Sequence, residues 1–169
     1  SVENAMTHIE RALVIIDQLA RRRQPDGLIP AISNLDLMRE MQAPESHGVA
    51  FGQANSLLDI ASLDAGLPLI GYLVAFERGN QCSGVWASWK CAMPFITLAA
   101  RFKAWTDEDL KLLREKVRER PGRVDAIWHE MGDQSDKLLL QAVKIAQEVF
   151  ATYADRVLPI NGVAADTIQ

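Results

Sequence analysis

No stretch of this 169-residue chain offers the roughly 20 consecutive apolar residues that cross a bilayer. The longest apolar runs, residues 12–16 and 67–76, are far shorter, and the first residues show no basic-then-apolar leader. The expected location is therefore the cytoplasm. Positive charge is also in deficit: 18 Lys and Arg against 22 Asp and Glu leave a net charge of −4. Nucleic acid binding would have to rely on a local patch, because there is no global positive field. Cysteine is nearly missing. If the segment joining Cys82 and Cys91 is extended, nine steps of about 3.3 Å place the two on the order of 30 Å apart, beyond disulfide reach. Two free thiols suit a reducing compartment. His8, His47 and His129 stand far apart, without Cys or acidic partners at ligand spacing, and there is no His-Glu-x-x-His, Cys-x-x-Cys, Gly-x-Ser-x-Gly, Walker or dinucleotide signature. No catalytic residue, metal ligand or cofactor is assigned on these grounds. The chain opens on Ser1, so its first residues read as a remnant or a processed end, with Met6 as a candidate native start.

What is present is the composition of an ordinary globular chain, 49% hydrophobic and 24% charged in 18.8 kDa. This predicts one domain over residues 1–169 with a frayed tail from 160. Apolar residues at Val2, Ala5, Ile9, Ala12, Ile16 and Leu19 predict an amphipathic helix over residues 2–22, ending in Arg21, Arg22 and Arg23. A short helix over 31–41 and a longer one over 48–65 follow. Gly66 gives the longer helix a left-handed stop, and Pro68 cannot continue it. Thr106 and Asp109 form a capping box for a helix that ends at Pro121-Gly122. A short helix over 124–131 precedes a long one with Leu139, Ala142, Ala146, Val149 and Tyr153 three and four apart, running to about Arg156.

Only the middle of the chain reads as β. In residues 69–78 both alternating sets are apolar, as in a strand covered on two faces, so Leu73 and Val74 are both expected to be buried. Gly79-Asn80 is turn material, and residues 84–91 are the expected antiparallel partner. Residues 95–105 fit either period; Pro94 favours a helix, and a third strand is the alternative. The fold class is thus α+β and mainly helical, with helices around a small antiparallel hairpin or three-stranded sheet over about residues 68–91, extending to 104 in the three-stranded version.

Residues 124–144 resemble the helix-turn-helix of bacterial regulators, with Gly132 at the turn, Ser135 near the second helix start, and Ile127, Met131 and Leu138 apolar. Trp128 stands where a small residue packs, and Asp136, Leu139 and Leu140 occupy the recognition helix, where phosphate or base contacts call for other groups. The basic residues Arg114, Lys116, Arg118, Arg120 and Arg123 are the candidate nucleic acid contacts, interrupted by Glu115 and Glu119. Glu77 and Lys90 invite comparison with PD-(D/E)xK nucleases. Ser88 stands where that pattern needs an acid, so a magnesium site lacks its second carboxylate. Trp86 and Trp89, with Tyr72, Arg78 and Lys90, form the candidate binding groove. The segment from Leu57 to Ala75 with the run Val85-Trp-Ala-Ser-Trp89 is similar to a helix–Gly-Leu-Pro–strand segment of small uncharacterised bacterial proteins encoded near defence and mobile-element genes, a resemblance that brings no chemistry with it.

The function expected from these features is a bacterial, non-enzymatic interaction or assembly protein. A DNA-associated regulator using segment 124–144 is the alternative, and a metal-dependent nuclease or hydrolase comes third. Nucleic acid binding is expected to be weak or absent, and a protein partner fits the groove. The terminal helices carry apolar flanks beyond one stripe, Met6, Leu13, Val14 and Ile15 on the first and Leu138, Leu140, Val143 and Phe150 on the last, which predicts a homodimer.

Overall fold

The computed structural model describes residues 7–75, 94–120 and 132–153. Among these residues the chain is mainly helical, with six α-helices. No helix there is long and apolar enough to cross a membrane.

Helix α1 (His8–Arg21) begins where the Thr7 hydroxyl accepts a hydrogen bond from the Glu10 amide at 3.1 Å. It buries Arg11, Ala12, Ile15, Ile16 and Leu19. After Pro25, Gly27 takes φ +87°, and its carbonyl accepts from the Trp105 amide at 2.8 Å, tying the loop to a distant part of the chain. Strand β1 (Ile32–Ser33) leads into α2 (Asn34–Glu40), whose first turn is capped by Ser33.

Helix α3 (Gly48–Asp64) is the centre of the molecule. Buried residues surround its axis, from Phe51 and Ala54 through Leu57, Leu58, Ile60, Ala61 and Leu63. A helix that is apolar all round needs neighbours all round, and α3 packs against α1, α2 and three of the segments that follow it. It ends as the glycine predicts. Gly66 sits at φ +70°, its amide bonds the Leu63 carbonyl at 3.0 Å, and the Leu67 amide bonds the Ser62 carbonyl at 2.8 Å, the Schellman pattern.

The next residues depart from expectation. Ile70–Leu73 form a 3₁₀ turn, and among the described residues of this run the strand is Val74–Ala75 (β2). The Ile70 amide donates to Ser62 Oγ at 3.2 Å and the Gly71 amide to Asp59 Oδ1 at 2.9 Å. These two side chains of α3 satisfy the amides of a turn, where a strand would have presented them to a neighbour. Leu73 and Val74 are buried as expected, at 0% and 1% exposure, Leu73 in a turn that packs against α3 and Val74 in β2, which packs against β1 and α2. β2 pairs with β1 in parallel, Ile32 opposite Val74 and Ser33 opposite Ala75, so the sheet among the described residues is a two-residue parallel bridge rather than an antiparallel hairpin. The expected hairpin partner, residues 84–91, lies outside the described residues.

Helix α4 (Pro94–Phe102) replaces the alternative third strand through residue 104. Trp105 closes it from beyond: its indole Nε1–H donates to the Ala100 carbonyl at 3.0 Å and its ring is 2% exposed. Helix α5 (Asp107–Glu119) starts on the predicted capping box. Thr106 Oγ1 accepts from the Asp109 amide at 3.1 Å, and the Asp109 carboxylate accepts from the Thr106 amide at 3.0 Å. Helix α6 (Ser135–Thr152) packs on α4 and, to a lesser extent, on α3. The buried core draws on all six helices. The short helix expected over 124–131, residues 1–6 and the tail from 160 lie outside the described residues.

Candidate functional site

Of the five residues expected to share a groove, Tyr72 alone is described, and it is 3% exposed, within the 3₁₀ turn and in the core. Arg78, Trp86, Trp89 and Lys90 lie outside the described residues.

The basic cluster divides between two flanks of α5. The helix buries Leu110, Leu113 and Val117, and the residues on either side of that stripe face different neighbours. On one flank, Arg114 donates from Nη2 to Asp17 Oδ1 of α1 at 2.9 Å. On the other, Arg120 grips the Asp64 carboxylate at the end of α3 with two hydrogen bonds of 2.7 Å each. Lys116 pairs with Glu119 at 3.3 Å on its own helix. Arg118 is exposed and Arg123 lies outside the described residues. Two of the five cations thus hold α5 against α1 and α3, each paired with a carboxylate.

Asn55, Asp59 and Ser62 carry no site motif in the sequence, although they recur at i, i+4 and i+7 within a mainly apolar helix. Asp59 is 2% and Ser62 0% exposed. Ser62 Oγ donates to the Leu58 carbonyl at 2.7 Å while accepting from Ile70, and Asp59 accepts from Gly71. Gly71 is required there, since a Cβ at that position would overlap the Asp59 carboxylate. These groups position the turn. The side-chain carbonyls of Asn34 and Asn55 are buried without a donor among the described residues, a penalty of about 1–3 kcal/mol each that surrounding packing offsets. The signal that marks Asn55, Asp59 and Ser62 is a polar row along one face of a helix too apolar to have a solvent side.

An open cleft of about 490 Å³ lies between the loop after α1 and the start of α5, lined by Arg23, Gln24, Pro25, Gly27, Trp105, Thr106 and Asp107. Its one guanidinium is engaged: Arg23 pairs with Asp107 and donates to the Trp105 carbonyl at 3.3 Å. Beside it Lys103 bridges to Asp109 at 3.2 Å and stands 5.7 Å from the Trp105 ring and 6.0 Å from that of Tyr153, joining the end of α6 to this corner. Of the three histidines, His8 and His47 are described. His8 has its pKa lowered, by burial first and by the Arg11 guanidinium second. Among the described residues no group of three His, Cys, Asp or Glu side chains is placed to hold a metal ion.

The terminal helices keep part of the apolar width expected of them. Ile15 is 0% and Leu138 6% exposed, so the chain's own packing covers these two and they are not surplus. Leu13, Val14, Val143 and Phe150 are half-buried, Phe150 meeting Phe102 edge-on with centroids 5.7 Å apart. Leu140 is 70% exposed. Met6 lies outside the described residues. Compared with known proteins, the chain matches no family, no curated protein and no solved structure.

Proposed function

We propose that this chain is a non-enzymatic interaction and assembly protein of the bacterial cytoplasm, a single domain that works as a homodimer through its terminal helices. The observation that carries the reading is the uncovered apolar width of α6: half-buried Leu139, Val143 and Phe150 run alongside the buried stripe of Leu138, Ala142, Ile145, Ala146 and Val149, and Leu140 stands at 70% exposure beyond them. α1 repeats the pattern with Ile9, Leu13 and Ala20 half-buried beside Ile16 and Leu19. Apolar surface left over after intrachain packing favours association. The two thiols of Cys82 and Cys91 support the reducing compartment.

The regulator reading draws less support, because Arg114 and Arg120 are committed to Asp17 and Asp64. Sedimentation over a micromolar concentration series tests the proposal. The expected mass rises towards twice the 18.8 kDa of one chain. A mass that stays at one chain throughout refutes it.

A further inference from the structure

The surface of α6 carries a short pattern that says how such a pair would meet. Asp136, Leu140 and Lys144 are four residues apart and therefore lie on one ridge of the helix, with Asp136 and Lys144 each about 6 Å along the axis from the leucine. All three are exposed, Leu140 to 70%. Neither the Asp136 carboxylate nor the Lys144 ammonium group is in an ion pair among the described residues. Val143 is half-buried and Gln147 exposed on the same side of the helix. A large apolar side chain is thus held in water between an anion on its N-terminal side and a cation on its C-terminal side.

That order is self-complementary under one operation. A two-fold axis through Leu140 that sets two copies of α6 antiparallel packs Leu140 on Leu140 of the second copy. The same operation brings Asp136 of each chain opposite Lys144 of the other, twice over, in the isologous arrangement typical of dimers. Rows of residues four apart are also the ridges that interlock in the commonest helix–helix packing. A parallel arrangement would put Asp136 against Asp136 and Lys144 against Lys144. An ordinary solvent-facing ridge requires no leucine at its middle. We infer that a second copy of this chain docks on this ridge, antiparallel α6 on α6 about Leu140, with the Asp136–Lys144 pairs fixing the register. The inference rests on the assembly reading above and narrows it to one helix and one axis.

The test uses the full chain and measures the dimer dissociation constant by sedimentation. Leu140→Lys places two ammonium groups on the axis and is expected to raise the constant on the order of 10- to 100-fold, with thermal unfolding of the monomer unchanged because the side chain is already in solvent. Asp136→Lys alone, which sets like charges opposite each other at both ends of the seam, is expected to weaken dimerisation on the order of 10-fold. Combining it with Lys144→Asp restores the attraction in reversed sense and is expected to bring the constant back within a few-fold of the original. A wild-type dimer untouched by Leu140→Lys, or one in which the double reversal is as weak as the single, overturns this seam while leaving the assembly reading standing. A wild-type chain that stays monomeric overturns both.

Discussion

Adding one methyl group at Gly71 should destabilise the fold more than most surface changes can, because of what lies above it. The Gly71 amide donates to Asp59 Oδ1 at 2.9 Å, and a Cβ on that residue would overlap the same carboxylate, itself on a residue only 2% exposed. Gly71 is not at positive φ, so the penalty is steric rather than conformational. Overpacking a dense core costs about 1–3 kcal/mol. Pushing the carboxylate away also weakens a hydrogen bond to a charged group, a contribution of about 1.5–3 kcal/mol. Gly71→Ala is therefore expected to lose about 3 kcal/mol. For a chain of this size that lowers the melting temperature by about 6–12 °C.

A double-mutant cycle in urea, followed by circular dichroism, isolates the contact. Asp59→Ala removes the acceptor and also a further interaction that Asp59 makes, so by itself it overstates the value of the Gly71 bond. Once the carboxylate is gone, however, the added methyl has space. The double variant should be no less stable than Asp59→Ala alone, giving a coupling of about 2 kcal/mol or more. Strictly additive losses, or a Gly71→Ala chain within about 0.5 kcal/mol of the original, would show that Asp59 does not hold this turn.

Three further outcomes follow from particular contacts. Thr106→Ala, which removes half of the capping box of α5, is expected to cost about 1 kcal/mol in urea unfolding, and an unchanged midpoint would argue against the cap. Trp105→Phe keeps most of the buried ring but leaves the Ala100 carbonyl without its donor, which should lower stability by about 1–2 kcal/mol and weaken the near-ultraviolet dichroism. His8 has a folded pKa below its ordinary value, so the unfolded chain takes up the proton more readily. Its contribution is neutral well above the usual histidine range and destabilising as the pH falls through that range. The fall in stability on acidification should be shallower in His8→Gln, and an identical pH profile would contradict the assignment.

Local signals were legible wherever a single residue sets the backbone. Gly66 stopped α3, Thr106 and Asp109 opened α5, and Pro94 opened α4 against the strand alternative, each acting on its own turn. Residues 70–73 form a turn where their pattern predicts a strand, for a physical reason. An apolar run with no charge on either face states only that it is buried, and it is buried as a turn because Ser62 and Asp59, eight and twelve residues before Ile70 and Gly71 respectively, supply acceptors for the amides of those two residues. That information sits on a different element and has no local signature. The parallel bridge between Ile32–Ser33 and Val74–Ala75 is non-local in the same way, and the period of either segment does not reveal it. The basic cluster was legible as residues but not as a surface, since a list of cations along a helix does not show that Arg114 and Arg120 reach carboxylates on α1 and α3.

The exposed leucine of α6 is informative because of how the other side chains of the described core are used. Thr7, Ser33 and Thr106 cap helices, Ser62 and Asp59 hold a turn, Trp105 closes α4, and Arg23, Arg114 and Arg120 tie helices together. Each acts on this chain's own backbone or on its own carboxylates, so these groups account for architecture. Leu140 has no such role: at 70% exposure it contributes little to the stability of one copy, and an alanine or glutamine there would serve the helix equally well. Its neighbours four residues away on either side carry opposite charges in the order that a two-fold axis requires. A side chain that the monomer does not need, set in a pattern that a second copy would complete, supports the proposed contact on the outside of α6 over the cleft beside Trp105.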